Sequence, residues 1–591
     1  MAVCTVGYTQ VLRASLLRTA VLLGTATLAI TEILSPLHLL ARGPLLAAWA
    51  LAITCWVWRG ARLPLPHRAP LEWLLAALVA IPVLLAALLS PPNSADAMAY
   101  HLPRIVYWAQ AQSVAFFPTP YLNQIMLQPL AEYCMLHTYV LSGGDRWINC
   151  IAFAAYAGSV LGASAIAGAM GLGTRAQAWA AVLCATLPNA ILQGSGAKND
   201  FLLGFWLVCA VCFALRREGP YLALSIGLAL ATKATAYLFL PPLLVYAASA
   251  LPRRHLLWIA TSVLALNGPQ YFRNWKLSGN PLGFDSAQAD GVYRWRNESP
   301  GPRALLSNAV RHTSEQLGGR SQQWNRAVYD AALHLHHAFG LDPQDAATTW
   351  PGARFEPPVN ANHEANANNH WHLLLLLLAA ILALALRQRQ WTFYAAALLS
   401  AFLCFCFYLK WQPFLARLEL PLFLVGTPLA AWALERARRP WLGVAVCLFL
   451  VNSARPALFE NWTRPLKGPR SLFVTARDDN YFSDMGQWHN QSSYEEAVAQ
   501  TAQSGCLLIG VDINHNQLEY PYHALLRQRL PRVRFVHSSV SNASARYQDS
   551  SAPKPCAVFC PDCAGDLQKP ALYGEPTRIG SFLLFAAPPR R

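Results

Sequence analysis

Residues 71–90 read LEWLLAALVAIPVLLAALLS, an apolar run as long as a helix that crosses a lipid bilayer. The next stretch, residues 94–104, reads SADAMAYHLPR and places an acid, a tyrosine, a histidine and an arginine directly after that run. The fold therefore depends on whether such runs recur. The function depends on what the charged groups do at the membrane boundary.

The composition of the whole chain is that of a membrane protein. Of its 591 residues, 54% are hydrophobic and 13% are charged, whereas a typical soluble domain carries roughly 25% charged residues. Apolar runs recur along the first three quarters of the chain, which indicates a polytopic protein. The formal net charge of +16 is explained by arginine-rich short loops that set membrane orientation, and no nucleic-acid partner is expected.

Thirteen apolar runs are predicted to cross the membrane. With the N-terminus inside, the short inner loops contain 13 Lys and Arg residues and the short outer loops contain five, as the positive-inside rule requires. A lysine at the centre of a bilayer costs roughly 2.5–3.5 kcal/mol, so residues 220–250 are interpreted as two spans with Lys233 between them at the outer interface. The predicted spans are residues 15–40, 43–58, 71–90, 147–170, 176–192, 201–215, 220–232, 234–250, 255–270, 371–386, 391–409, 418–434 and 441–455.

This topology divides the chain into two domains. Residues 1–455 form a membrane domain that includes two outer loops, 91–146 and 271–370. The tail, residues 456–591, alternates helical patterns with apolar strands such as CLLIGVDI at 506–513, which predicts a small α/β layer. The predicted fold is a polytopic all-α membrane domain of about 13 transmembrane helices, followed by a small extracytoplasmic α/β domain.

Cysteines and histidines of the outer segments raise the question of a metal. Four tail cysteines could form one or two disulfides on an oxidising outer face, whereas the C-x3-C-x2-C spacing lacks a clear fourth zinc ligand. The stretch HEANANNHWH at 363–372 does not contain the i, i+4 histidine pair of a zinc protease. We therefore predict no metal site. The four cysteines are Cys506, Cys556, Cys560 and Cys563.

Ionisable residues gather at the predicted outer boundary. On a helix capped by Ser94, Asp96 would share one face with Tyr100 and Arg104. Asp200 begins the sixth span, where the helix dipole also favours an acid. Interfacial anchoring is the simpler explanation for a lone acid, but two acids with several bases predict a site that handles an anionic group. The bases near this plane are Lys198, Lys233, Arg273, Lys276, Lys410 and Arg417.

These residues and their order resemble the bacterial GT-C superfamily of membrane glycosyltransferases, in particular the group of the lipid A aminoarabinose transferase and the protein O-mannosyltransferases. The resemblance covers nearly all of the membrane region. Many members carry paired acids in the first outer loop, whereas Ala97 follows Asp96 here, so a second acid must come from elsewhere, such as Asp200. The motifs are Asp96 before YHLPR, KND at 198–200, GLALATKATAYLFLPP at 227–242, YFRNWKLSGNPLGF at 271–284 and YLKWQPFLARLELPLF at 408–423.

The resemblance implies a multi-pass enzyme of the inner membrane. It would move a monosaccharide, with inversion, from a polyprenyl-phosphate donor to a lipid, glycan or protein acceptor on the outer face. Asp96 is expected to be the general base, and Asp200 to orient Lys198 or the acceptor, or to share a divalent cation with Asp96. Superfamily members differ in their need for a metal, so none is predicted. The expected substrate-binding residues are Tyr100, Arg104, Lys198, Lys233, Arg273, Lys276, Arg417, His363 and Glu364, with His370 and His372 at the same entrance.

Two other functions stay open at this stage. An O-antigen ligase or polymerase also uses a polyprenyl-linked substrate at the outer face, but it transfers blocks from a diphosphate donor. A membrane transporter usually shows internal repeats and helices broken at the midplane. No clear repeat is visible here, and the ionisable groups gather at one face.

Overall fold

The computed structural model describes residues 2–58, 72–248, 254–284, 295–484, 486–514, 517–561, 563 and 569–586. Within these ranges the chain is mostly helical and ends in one small sheet. The predicted inner loop 59–70 lies outside the described residues, as does most of 251–254.

A helix overlaps each of the thirteen predicted spans. By length and composition, five described helices can cross a membrane; how many of the thirteen do so stays a prediction. These five are Arg13–Leu37, Glu72–Leu89, Cys150–Ala169, Arg389–Tyr408 and Leu415–Arg436. The described helices of residues 2–459 are α1 (Ala2–Leu34), α2 (Arg42–Trp58), α3 (Glu72–Leu89), α4 (Leu102–Ala111), α5 (Asn123–Met126), α6 (Leu130–Ser142), α7 (Cys150–Ala169), α8 (Thr174–Ala185), α9 (Pro188–Gln193), α10 (Asp200–Leu215), α11 (Gly219–Thr232), α12 (Ala236–Ala248), α13 (Arg254–Ser278), α14 (Pro302–Gln316), α15 (Gln322–Ala338), α16 (His370–Ala385), α17 (Arg389–Tyr408), α18 (Leu420–Arg436), α19 (Pro440–Ser453) and α20 (Arg455–Phe459).

Helix α10 lies inside the bundle and carries one of the predicted acids. It is apolar on all sides, as expected of a helix surrounded by others, and its residues from Asp200 to Ala214 are buried. It packs against α7, α11 and α18. Asp200, the first residue of α10, is therefore placed at the end of a buried helix, away from the lipid-facing surface.

Residues 220–250 contain two helices, as the interpretation of two spans requires; whether each crosses the membrane stays a prediction. Helix α11 ends at Thr232, α12 begins at Ala236, and Lys233 between them has an extended backbone. The break exposes Lys233 to the polar groups at the start of α10 and removes it from a helix interior.

The first outer loop differs from the prediction. A π-helical turn covers Ala97–His101 before α4 begins, and a π turn bonds i to i+5, so residues four apart do not keep one face. The hydroxyl of Ser94 is buried without a hydrogen-bond partner, so it does not cap this segment. Arg104 lies 3.4 Å from Glu132. The predicted helix face shared by Asp96 and Arg104 is therefore wrong.

The tail contains the predicted small α/β layer. Its sheet has the order β2-β1-β3-β5-β4, in which β1 pairs in parallel with β2 and β3, and β5 runs antiparallel to β3 and β4. Cys506 bonds to Cys556 and Cys560 bonds to Cys563. The elements are α21 (Gln491–Ser504), β1 (Leu508–Val511), α22 (Tyr520–Arg529), β2 (Arg534–His537), β3 (Ala557–Cys560), α23 (Lys569–Tyr573), β4 (Thr577–Ile579) and β5 (Phe582–Ala586).

A buried carboxylate fixes the tail to the first outer loop. Glu519, just before α22, accepts hydrogen bonds from the Tyr107 hydroxyl at 2.5 Å and from the Gln124 amide at 2.9 Å. Its carboxylate also lies 3.2 Å from His523 and 3.1 Å from His537. Since Tyr107 belongs to α4, this contact helps to set the position of the segment that carries Asp96.

Candidate active site

Arg417 lies between the two predicted acids. Its Nη1 is 2.5 Å from Oδ2 of Asp96, and its Nε is 4.0 Å from Oδ2 of Asp200. The three residues come from the first outer loop, the 3₁₀ turn Leu415–Glu419 and the start of α10. Their side-chain exposures are 28% for Asp96, 11% for Arg417 and 2% for Asp200. Asp96 is thus at the open side of the cluster and Asp200 is at its base.

Two lysines complete this cluster. Lys233 donates to the Asp200 carboxylate and, at 3.1 Å, to the side-chain oxygen of Asn199. Lys198 lies 2.5 Å from Glu364 and is close enough to Asp96 to affect its titration. The structure therefore brings together five of the predicted site residues, which are Asp96, Lys198, Asp200, Lys233 and Arg417.

The electrostatics favour an ionised Asp96. Burial raises the pKa of Asp96, but the attraction of Arg417, followed by that of Lys198, outweighs it and holds the pKa well below its ordinary value. Burial and the charge of Asp96 raise the pKa of Tyr100 well above its ordinary value. Tyr100 therefore keeps its proton at neutral pH and can act as a hydrogen-bond donor beside the carboxylate.

His363 and Glu364 contact the cluster from the second outer loop. His363 Nε2 lies 2.8 Å from Asp484, whose other oxygen accepts a hydrogen bond from the backbone N–H of Ala95 at 2.7 Å. Burial raises the pKa of Glu364, but the attraction of Lys198 and Arg464 outweighs this effect and holds the pKa well below its ordinary value. His363 is thus connected through Asp484 to the backbone just before Asp96. Glu364 binds Lys198 and Arg464.

Arg273 and Arg104 belong to a neighbouring cluster. Arg273 donates to Glu32 at 2.7 and 2.9 Å and to the Tyr133 hydroxyl at 2.8 Å. Arg104 donates to the backbone carbonyls of Ile125 at 3.0 Å and Leu127 at 2.9 Å. The sequence placed both arginines with Arg417; their role in phosphate binding stays a prediction.

Two other predicted cations lie apart from Asp96. The ammonium of Lys276 is over the ring of Phe272, 4.4 Å from its centre, and the residue is exposed. Lys410 lies 2.6 Å from Glu298 in the second outer loop. Equal predicted depth in the membrane therefore did not bring every base to one site.

The residues around the two acids do not fit a shared divalent cation. Arg417 occupies the space between Asp96 and Asp200, and Lys233 binds Asp200 from another side. Positive side chains thus already balance both carboxylates. In the tail, Asp512, Cys560 and Cys563 also lie close together, but the two cysteines are disulfide-bonded and Lys569 donates to Asp512 at 2.6 Å.

A cavity of about 650 Å³ lies beside the cluster and is not lined by Asp96, Asp200 or Arg417. Its apolar wall comes from α16 and α19, and its polar wall comes from the second outer loop. His370 and His372 line it, whereas His363 and Glu364 do not; a place for these residues at a substrate entrance stays a prediction. The lining includes Trp371, Leu374, Phe449, Leu450, Arg320, Asn362 and Asn368.

Sequence reasoning missed several polar residues next to the cluster. Arg464, Asn93 and Asp484 are buried and bond to groups on either side of Asp96 and Lys198. Glu32, the partner of Arg273, is inside α1. A charged residue in the stretch NWTRP at 461–465, directly after the last predicted span, was the available signal for Arg464.

Comparison with known proteins gives two similar structures. No family model matches the chain, and no curated protein matches it. The crystal structure of ArnT from Cupriavidus metallidurans bound to undecaprenyl phosphate is 14% identical, with a TM-score of 0.45. The apo crystal structure of the same protein is 13% identical, with a TM-score of 0.48. Each comparison covers 87% of this chain and 98% of the other.

Proposed function

We propose that this chain is an integral membrane glycosyltransferase that moves one sugar from a polyprenyl-phosphate donor to an acceptor on the outer face of the inner membrane. The arrangement of Asp96, Arg417 and Asp200 carries the proposal. It supplies an ionised, partly exposed carboxylate beside a guanidinium at the end of a membrane span. Undecaprenyl phosphate, named in one of the similar structures, belongs to the proposed class of lipid carrier.

In the proposed reaction, Asp96 takes the proton from the acceptor hydroxyl or amine. The freed electron pair attacks the anomeric carbon of the donor sugar, and the bond from that carbon to the phosphate oxygen breaks. The phosphate leaves with the electron pair of that bond, and a single displacement of this kind inverts the anomeric centre. A positioned base contributes roughly 10²–10⁴ in rate.

Arg417 has two roles in this scheme. A guanidinium binds a phosphate through two parallel hydrogen bonds, so it stabilises the charge that develops on the leaving group. Before the donor binds, the same guanidinium pairs with Asp96. A phosphate that competes for Arg417 weakens this pair, raises the pKa of Asp96 and makes it a better base.

Lys233 and Lys198 support the same charge distribution. Lys233 neutralises the buried Asp200, which leaves Arg417 available to the more exposed Asp96 and to the donor phosphate. Lys198 adds positive potential at Asp96 from the other side. Tyr100 remains protonated and donates a hydrogen bond to the substrate.

The neighbouring cavity suits a substrate with a polar head and an apolar chain. Trp371, Leu374 and Phe449 line its apolar side, and Asn362 and His370 line its polar side. Its volume of about 650 Å³ is within the range of about 300–1,000 Å³ typical of ligand sites. Next to the lining residue Pro188, the side-chain amide of Asn189 donates to the backbone carbonyl of Glu364 at 3.2 Å.

An assay of purified protein tests the function. The protein in lipid nanodiscs is mixed with a panel of polyprenyl-phosphate monosaccharides and candidate acceptors, and the products are read by mass spectrometry. Transfer of one sugar with release of polyprenyl phosphate is expected. Block transfer from a diphosphate donor would support a ligase or polymerase instead, and counterflow in proteoliposomes without product would support a transporter.

A further inference from the structure

Arg464 is a buried arginine that connects three separate segments of the site. Its Nη1 donates to Asn93 at 2.9 Å, its Nε to the Ser195 hydroxyl at 3.1 Å and its Nη2 to the Leu192 carbonyl at 2.8 Å. Nη2 also bonds to the carboxylate of Glu364. The side chain has no exposed surface, so these groups are its environment in place of water.

The bond to Glu364 links Arg464 to the charged cluster. Glu364 binds Arg464 with one carboxylate oxygen and Lys198 with the other, and its side chain is fully buried. Lys198 in turn acts electrostatically on Asp96. An ordered series of charges therefore runs from Arg464 through Glu364 and Lys198 to Asp96.

A second connection runs through Asn93, three residues before Asp96. Its amide oxygen accepts from Arg464, and its amide nitrogen donates to the Thr463 carbonyl at 2.8 Å and the Ser483 hydroxyl at 2.6 Å. The segment that follows the last span is thus bonded to the segment that enters the first outer loop.

The packing around Gly196 shows how closely these groups approach. A Cβ atom at Gly196 would lie 3.0 Å from Oε2 of Glu364 and 3.3 Å from Nη2 of Arg464. A side chain at residue 196 would therefore require the ion pair to shift by a few tenths of an ångström.

We infer that Arg464 is a positioning residue of the proposed active site, which holds Glu364 and, through Glu364, the ammonium group of Lys198. The inference rests on the proposed function. A buried charge is strongly unfavourable unless it is fully paired, and the planar fork of arginine can bond several acceptors at fixed angles, which lysine cannot do. Arg464 satisfies that requirement with acceptors from three segments, all of which border the cluster.

The first test measures Lys198 directly and does not require activity. Intact protein in nanodiscs receives a short pulse of a lysine-acylating reagent, and peptides are quantified by mass spectrometry, with the buried Lys410 as internal reference. In Arg464→Gln, the labelling rate of Lys198 is expected to rise about fivefold or more, a change of the size seen when coupled groups are separated. An unchanged rate in folded protein would overturn the inference.

Arg311 provides a matched control. It is also a fully buried arginine, but it bonds Asn308, Thr348 and Thr349 in the second outer loop, away from Asp96. Arg311→Gln should lower thermal stability as Arg464→Gln does and leave Lys198 labelling unchanged. An equal rise in the Lys198 labelling rate in both variants would mean that general loosening of the fold is the cause, and the inference would fail.

The second test is a mutant cycle in the transfer assay, with Arg464→Gln, Lys198→Ala and the double variant. If Arg464 acts through Lys198, each single variant loses about tenfold or more in kcat, and the double variant is no worse than Lys198→Ala. Arg464→Lys should restore part of the rate. Additive losses would overturn the inference while the proposed function stands. A wild-type protein that transfers no sugar would overturn the function, and the labelling experiment would still decide the role of Arg464.

Discussion

The guanidinium of Arg417 lies 2.5 Å from the carboxylate of Asp96, although 321 positions separate the two residues in sequence. The pair brings the first outer loop against the turn that precedes α18. Asp200 is beneath it and is almost completely buried. The arrangement offers a partly exposed carboxylate, Asp96, next to the guanidinium of Arg417. The second carboxylate, Asp200, is held by Lys233.

Asp96→Asn should abolish sugar transfer and leave folding intact. The amide keeps the size of the side chain but cannot take the acceptor proton, so kcat should fall by about 10²–10⁴. Donor binding should persist, because Arg417 remains. Asp330→Asn, which removes an acid paired with Arg326 on the exposed surface of α15, is the matched control and should behave as wild type. Near-normal transfer by Asp96→Asn would show that Asp96 is not the base.

Changing Arg417 should alter both donor affinity and the pH profile. Arg417→Ala removes the nearest positive charge from Asp96, so the pKa of Asp96 rises and the acid limb of kcat/KM moves to higher pH. The KM for the donor should rise by about tenfold or more, since the two-point grip on phosphate is lost. Arg417→Lys should restore the position of the acid limb but only part of the affinity. An unshifted acid limb in Arg417→Ala would contradict this coupling.

Part of the site was visible in the sequence because it lies where apolar runs end. Asp96 and Asp200 both border predicted spans, and Lys233 lies between two. Hydropathy reports depth in the bilayer, but it says nothing about position around the bundle. Arg273 has a predicted depth similar to that of Lys233, yet it pairs with Glu32 of α1, which no spacing in the sequence indicates.

Two local features were missed for different physical reasons. The π turn at Ala97–His101 breaks the period of 3.6 residues on which helix patterns rest. Strand β4 has three residues, too few to show an alternating pattern.

Arg464 lies after the last span, so the sequence assigned it to the tail, whereas it bonds to Asn93 and Glu364. Residues on both sides of the predicted domain boundary at 455 therefore contribute to this cluster.

The pair of Asp200 and Lys233 allows stability to be separated from catalysis. Removing one partner of a buried pair leaves an unbalanced charge and costs about 3–5 kcal/mol. Asp200→Asn should therefore lower the Tm strongly. The double variant Asp200→Leu with Lys233→Met should recover much of the Tm, because no buried charge remains unpaired, and it should still lack activity. A double variant that is both stable and active would show that the pair is structural.

The proposed sidedness can be tested by cysteine labelling. Single cysteines at the exposed positions 142 and 387 lie at the end of α6 and just after α16, on opposite predicted sides of the membrane. The background should lack the exposed native Cys55 and Cys404. A membrane-impermeant maleimide should label Ser142→Cys in intact cells, and Arg387→Cys only after permeabilisation. The reverse pattern would place Asp96 on the cytoplasmic side and would contradict a lipid-linked donor.

Glu315 should make stability depend on pH between about 4.5 and 8. Burial, with the charge of Glu419 added, raises the pKa of Glu315 from 4.5 to about 8. The folded protein therefore binds a proton that the unfolded chain loses, so this contribution to stability is complete below pH 4.5, falls as pH rises and is lost by about pH 8. Glu315→Gln resembles the protonated acid and should flatten the dependence, raising the Tm most at pH 8 and above.

Exposed Glu356→Gln is the control, and thermal unfolding at pH 5, 7 and 9 measures the effect. Wild-type and Glu315→Gln curves that stay parallel across this range would show that Glu315 is already ionised in the folded protein.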